Sequence, residues 1–368
     1  MDDLSRFCCL NSGCSDHGKR NHGNLTVPAR YGPHQTRVLR CGTCKSRFSE
    51  RKGTPLFDAR LPADKVVAVL AHVAEGIGTR KTARLVGVHR DTVTRYIRRA
   101  GEQAQHLHDE RVAFSPTTKE VPFDETWAFV GQKEKNGDPD ARPRGDCWDH
   151  VALDPETRLV VSVVVDKRTE DATRALVGDF HRRTGGRVMR RMTSDEYPAY
   201  ATAIREVYGK VVTPPRTGRP GRPRKPYTVV PAGVTYATVH EERENNRVVD
   251  VSTRVVFGTL AAVALARVAS AVSTAVNTCV VERHHGTDRN RCSRKVRKSY
   301  TSSKDWEVHR AATAFSYFRY NFCWPVETLR ERDADGRWRP RTPAMAAGLT
   351  DHVWSLAEWL AYPAAQRK

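Results

Sequence analysis

The chain has 368 residues, 39% of them hydrophobic, and carries a formal net charge of +20 with a pI near 9.9. That length exceeds the usual span of one hydrophobic core and sets the expectation of two or three domains. The charge favours a polyanionic partner, because a basic surface that neutralises phosphates releases their counterions. No uncharged apolar run reaches about 18 residues, and the opening MDDLSRFCCLNSGC has neither a basic start nor an apolar signal core, so a cytoplasmic, nucleoid-associated protein with no membrane partner is expected.

In chain order, residues 1–55 hold five of the nine cysteines. Cys9, Cys14, Cys41 and Cys44 form two pairs on two turns, the arrangement that gathers four thiolates around a structural Zn²⁺ in a segment too short to fold on a core alone. Cys8 is an alternative to Cys9, and His17, His22 or His34 an alternative to one thiolate.

Residues 56–112 contain KVVAVLAHVAEGIGTRKTARLVGVHRDTVTRYIRRAGEQA, three helical patterns separated by Gly76-Ile77-Gly78 and by Gly87. Ala83, Val88, Val93 and Ile97 fit the inward positions of a helix-turn-helix. A helix from about Arg90 to Ala100 would enter a major groove, with Arg90, Thr92, Thr94, Arg95 and Arg98 outward for phosphates and base edges.

From residue 113 to 368 the pattern becomes mixed. VPFDETWAFVGQ alternates as a strand, CWDHVALD and RLVVSVVVDKRT read as a hairpin turning at Pro155-Glu156-Thr157, DATRALVGDFHRRT as a helix, and GRVMRRMTSDEYPAY as a strand ending in an acid. The order β-β-β-α-β with acids on the first and fourth strands is that of an α/β, ribonuclease-H-like mixed sheet. An insertion at about 205–254 carries TPPRTGRPGRPRKPY, whose Arg219 and Arg222 suit a minor groove, and a second hairpin near residues 233–251. FGTLAAVALARVASAVSTAVNTCVVERHH then reads as one long helix against the sheet, with Glu282 near its end. The aromatic stretch AATAFSYFRYNFCW near the helical C-terminal part reads as core.

Three acids, Asp124, Asp195 and Glu282, stand out against the basic background as an open carboxylate cage for Mg²⁺ or Mn²⁺. Glu125 and Glu196 are second choices, set on the opposite face by strand alternation. Asp149, Asp154 and Asp288 are further candidates, and Arg283, His284 and His285 are placed either to contact a phosphate or to cap the helix.

With these motifs in order, KTARLVGVHRDTVTR, FDETWAFVGQK, SDEYPAY and VVERHHGTDRNR, the chain resembles the insertion-sequence-one type of transposases, which belong to the Asp-Asp-Glu superfamily. The resemblance covers most of the chain. It departs from the family in a longer interval between the second and third acids, in His284-His285 where many relatives have Asn nearby, and in joining two halves that are often separately encoded. It implies a Mg-dependent DNA transposase with Asp124, Asp195 and Glu282 as catalytic metal ligands, two ions per active site. It also implies DNA element ends and target DNA as substrates, and at least a homodimer in the synaptic complex. The competing readings are a transposase-derived DNA-binding regulator and a structure-selective nuclease of the same fold.

Overall fold

The computed structural model describes residues 2–136, 144–215, 224–245, 247–273 and 275–365. Two compact units emerge: one comprises Met1–Ala113, Phe129–Gly145 and Asp288–Lys368, the other Phe114–Ala128 and Asp146–Thr287.

The first unit begins with a small antiparallel sheet of β1 (Leu25–Tyr31), β2 (Thr36–Cys41) and β3 (Arg47–Ser49) in the order β1-β2-β3. Its core is minimal: Phe7, Leu25, Leu39 and Phe48 pack with Cys9, Cys14 and Cys41. Three helices follow, α1 (Ala63–Ala74), α2 (Thr79–Val86) and α3 (Arg90–Arg111). Gly87 closes α2 in the left-handed region, φ 68°, a conformation that lets the chain turn directly into α3 at little steric cost. The apolar stripe of α3, including Val93, Tyr96, Ile97 and Ala100, is buried.

The second unit is built on a six-stranded mixed sheet. Its elements are β4 (Glu120–Val130), β5 (Gly145–Leu153), β6 (Val160–Asp166), α4 (Glu170–Arg183), β7 (Arg191–Ser194) and α5 (Pro198–Tyr208), with β8 (Lys210–Val212) and β9 (Tyr227–Val229) forming a separate pair. The hairpin β10 (Tyr236–Glu244) and β11 (Arg247–Phe257) completes the sheet in the order β11-β10-β7-β4-β5-β6. β7 runs parallel to both β4 and β10, while β5/β6 and β10/β11 are antiparallel. Phe123 on β4 stacks on Tyr200 of α5 at 5.6 Å and meets Phe180 of α4 edge-on, which fixes α4 and α5 on one face of the sheet.

The long Ala-rich helix expected before Glu282 is two helices, α6 (Leu260–Val268) and α7 (Cys279–Arg291). Between them Ser270 Oγ accepts from the amides of Val272 and Ser273, and Ser273 Oγ accepts from the Ala275 amide and from Asn277 Nδ2. These local side-chain bonds offer the backbone an alternative to the helix ladder and interrupt it. α6 still packs on β10, through Val263 against Ala237 and Val239.

The chain returns to the first unit with α8 (Trp306–Cys323), the hairpin β12 (Glu331–Arg332) and β13 (Trp338–Arg339), α9 (Pro343–Ala346) and α10 (Leu356–Leu360). α8 lies along α3. Its Phe315, Phe318 and Phe322 are buried among Trp354 and Trp359, so the aromatic stretch is core. Among the described residues no helix is long and apolar enough to cross a membrane.

Candidate active site and metal centres

Register brings the first two acids together. In the parallel pair, Glu120 faces Arg191, Val121 faces Met192 and Pro122 faces Thr193, so continuing both strands by two residues sets Asp124 opposite Asp195. A buried Glu120–Arg191 ion pair of 2.7 Å stands at the start of that register. Asp195 follows the last residue of β7 and its Oδ1 accepts the Tyr197 amide at 3.0 Å.

Glu125 joins them. Alternation along β4 does send it to the face of Phe123, away from Asp124, but all three side chains lie near the end of the paired region. One carboxylate oxygen from each of Asp124, Glu125 and Asp195 lies within 4.8 Å of the others. Glu125 is the most enclosed, with a side chain 2% exposed. His150 Nδ1 on β5 lies 3.6 Å from its Oε1. Arg168, in the turn before α4, reaches Glu125 Oε2 at 3.4 Å and Asp195 Oδ2 at 3.2 Å, its guanidinium lying over the rings of Tyr197 and Trp148.

The cluster is electrostatically loaded. Desolvation first, and then the charge of Glu125, hold the Asp195 carboxyl above its ordinary pKa, against the Tyr197 amide and Arg168, which lower it. Burial drives the Tyr200 phenol well above its usual value, with Glu125 and Asp124 adding to the shift. An added cation at this point would relieve that repulsion.

Glu282 is exposed on α7 and accepts a hydrogen bond from Thr278 Oγ1. It is outside the three-carboxylate cluster. One helical turn on, buried His285 brings its Nε2 to 3.3 Å from Asp124 Oδ2, so Glu282 shares the α7 face that meets Asp124. His284 is buried and Arg283 exposed.

The other candidate acids have structural partners. Asp154 organises the β5–β6 turn, accepting from Thr118 Oγ1 and from the amides of Glu156 and Thr157. Asp288 forms a buried ion pair with Lys295 at 2.6 Å and accepts from Ser316 Oγ. Glu196 pairs with His240 at 2.6 Å, and Asp149 is fully buried.

The donor set suits a hard divalent ion. Oxygens on opposite sides of Mg²⁺ at about 2.1 Å are roughly 4.2 Å apart, so a 4.8 Å cluster closes on one ion with sub-ångström movements. In the amino-terminal sheet the four sulfurs of Cys9, Cys14, Cys41 and Cys44 also lie within 4.8 Å of one another. Cys9–Cys44 is 3.6 Å and Cys14–Cys41 3.9 Å, against the roughly 3.8 Å edge of a tetrahedron with Zn–S of about 2.3 Å. The Ser46 hydroxyl and amide pull the Cys44 thiol down to about 6, while burial pushes Cys9 up to about 12. Cys8, His17, His22 and His34 are not in that cluster.

On α3, Arg90, Arg95 and Arg98 are exposed and Thr92 and Thr94 half-buried. Thr94 Oγ1 donates back to the Arg90 carbonyl, and Arg98 pairs with Asp305 at 3.1 Å. Arg219 and Arg222 lie outside the described residues.

Sequence reasoning missed Arg168 and His150 and gave Glu125 second rank. Adjacency to Asp124 was the signal available for Glu125. Arg168 and His150 sit in DKRT and WDHV without a motif of their own.

No protein-family model matches the chain, and no curated protein matches it. Among solved structures, the Mos1 strand transfer complex aligns over 40% of this chain and 55% of that chain, with 16% identity and a TM-score of 0.17. The Mos1 transposase paired-end complex with left transposon end aligns over 40% and 56%, with 16% identity and a TM-score of 0.17. The Mos1 mariner paired end complex with Mn gives 14% identity over the same shares and a TM-score of 0.16. The alignments thus span little more than half the length of those chains, and at such scores the function is argued from the site alone.

Proposed function

We propose that the protein is a DNA transposase with a ribonuclease-H-like catalytic unit, cutting the ends of a mobile element and joining them to target DNA. The observation that carries this reading is the convergence of Asp124, Glu125 and Asp195 just past the paired region of two adjacent parallel strands, in a chain of net charge +20. Asp124 and Asp195 would hold Mg²⁺ or Mn²⁺ together with Glu125, Glu282 completing the cage after a change of side-chain rotamer. When bound, a pair of such ions supplies activation of the attacking hydroxyl and neutralises charge on the leaving oxygen.

The chain's own residues orient this chemistry. His285 faces Asp124 from α7, and His150 faces Glu125 from β5. Arg168, over the rings of Tyr197 and Trp148, presents a planar guanidinium suited to a scissile phosphate. Water attacks the phosphodiester at the element end, the P–O3′ bond breaks, and a 3′-hydroxyl and a 5′-phosphate result. That 3′-hydroxyl then attacks a target phosphodiester, forming a new P–O3′ bond and releasing a target 3′-hydroxyl, with no covalent protein intermediate. Two ends must be joined together, so at least two copies act in the complex. The four-cysteine sheet would hold structural Zn²⁺, and the α2–α3 helix-turn-helix would read the element end through Arg90, Thr92, Thr94, Arg95 and Arg98.

The test is cleavage and joining of labelled duplexes carrying the DNA that flanks the coding sequence, with Mg²⁺ or Mn²⁺. Metal-dependent joined product, lost in Asp124→Asn and Asp195→Asn while DNA binding persists, supports the reading. Binding without cutting under either metal favours a regulator, and cutting of branched DNA without joining favours a nuclease.

A further inference from the structure

The first unit contains a second basic feature. A cavity of about 910 Å³ opens between the α2–α3 pair and the segment running from residue 293 to 308. Arg80, Lys81 and Arg84 of α2 line one wall, Arg294 and Lys304 the other. Among the described residues none of these five cations has an acidic partner within ion-pair distance. Each acid that lines the cavity is engaged elsewhere, Asp91 by His89 and Arg90 and Asp305 by Arg98. Arg294 donates to Thr79 Oγ1 at 3.2 Å and to Ser303 Oγ at 3.5 Å, with Asp305 acting on it only from beyond ion-pair distance. Burial holds its guanidinium below the usual value, so an anion brought alongside would recover part of the lost solvation. Ile77 and Val308 line the cavity as well, and Tyr300 stands fully exposed at its edge.

We propose that this cleft is a phosphodiester clamp for double-stranded DNA, gripping the backbone between α2 and the basic segment 293–304. It rests on the DNA-binding part of the proposed function and extends it to residues outside α3. Five unpaired cations around one cavity repel one another, and a run of phosphates between them removes that repulsion while releasing counterions. Arg294 offers a forked donor to a phosphate, and the apolar side chains suit the sugar carbons between phosphates. The grip is independent of base sequence, because backbone contacts position the duplex without reading it.

The experiment uses the full chain and a fluorescent 30-base-pair duplex of arbitrary sequence, without divalent metal, over a range of salt concentrations. The variant Arg80→Gln/Lys81→Gln/Arg84→Gln/Lys304→Gln removes four exposed cations and leaves α3 intact. The control, Arg332→Gln/Arg337→Gln, removes exposed cations that do not line the cleft. The proposal expects the slope of log K against log salt to fall by about 3.6 in the cleft variant, with affinity down more than about tenfold near physiological salt. The control should shift by less than half as much. A second variant, Arg294→Gln, tests the cleft wall itself and should weaken binding at unchanged circular dichroism. A control shift of half the cleft variant's or more would overturn the clamp, because charges counted without regard to place give that ratio, as would tighter binding to a single-stranded RNA of the same length. Metal-dependent joining is scored separately, so a protein that binds through the cleft but never joins DNA refutes the transposase reading and leaves the clamp standing.

Discussion

Gly101 sits in the interior of α3, where a glycine normally weakens a helix by about 1 kcal/mol relative to alanine. Its place is explained by α8. A Cβ built on Gly101 would lie 2.5 Å from both the carbonyl carbon and the Cα of Ala311, where nonbonded carbons prefer about 3.5–4.0 Å. The obstructing atoms are helix backbone, so relief requires the two helices to separate by about 1 Å along their contact. Overpacking of this kind costs about 1–3 kcal/mol, and the rigidity of the obstacle argues for the upper part of that range. Setting this against the helix gain of about 1 kcal/mol leaves Gly101→Ala destabilised by about 1–2 kcal/mol. Gly178 in α4 is the internal comparison, since nothing lies within 4 Å of its added Cβ. Gly178→Ala should stabilise the second unit by up to about 1 kcal/mol. Native-state hydrogen exchange reads both locally: amides of α3 and α8 should open more easily in Gly101→Ala, and those of α4 less easily in Gly178→Ala. Increased protection of α3 in Gly101→Ala would refute the close-approach argument.

Three further predictions concern the sites. Mn²⁺ binding, followed by electron paramagnetic resonance, should weaken by about tenfold or more in Glu125→Gln, on the scale of losing one charged ligand. A loss confined to Glu282→Gln would instead put the third ligand on α7. The purified protein should release one equivalent of Zn²⁺ on chelation and lose the amino-terminal sheet, because that core has few apolar side chains besides its cysteines. Retention of the sheet after complete chelation would show that Phe7, Leu39 and Phe48 suffice. Burial raises the Asp154 pKa in the folded chain despite its hydrogen bonds. The folded state therefore keeps a proton that the unfolded chain has lost, and stability falls as pH rises from the ordinary Asp value through the raised one. Asp154→Asn, whose Oδ1 can still accept the Glu156 and Thr157 amides, should flatten that slope in urea titrations. An unchanged slope would assign the dependence to another group.

Much of the local structure was legible because it depends on short-range spacing. Two cysteine pairs with turn-length gaps foretold the sulfur cluster, and helical patterns punctuated by glycines outlined α1 to α3. Period-two patterning placed Asp124 on β4 and Asp195 at the end of β7. Their approach to each other followed once those strands were taken as neighbours. Glu125 was harder to rank, because alternation describes where a Cβ points, not how far a longer side chain reaches around the end of a strand pair. The break between α6 and α7 was hidden for a related reason. Alanine and valine suggest a continuous helix, and the competition from Ser270 and Ser273 becomes visible only when their hydroxyls meet backbone amides.

By itself the sequence determined the basic charge, the metal-ligand types and the order of the elements from β4 to β7, all of which are properties of composition and of neighbours along the chain. Only the tertiary structure decided that α8 closes on Gly101 of α3, that Arg168 bridges Glu125 and Asp195, and that residues 293–308 face α2 across a basic cleft. These contacts join segments far apart in the chain. They depend on which apolar faces bury each other and where unpaired charges are then left, and no local pattern encodes that outcome.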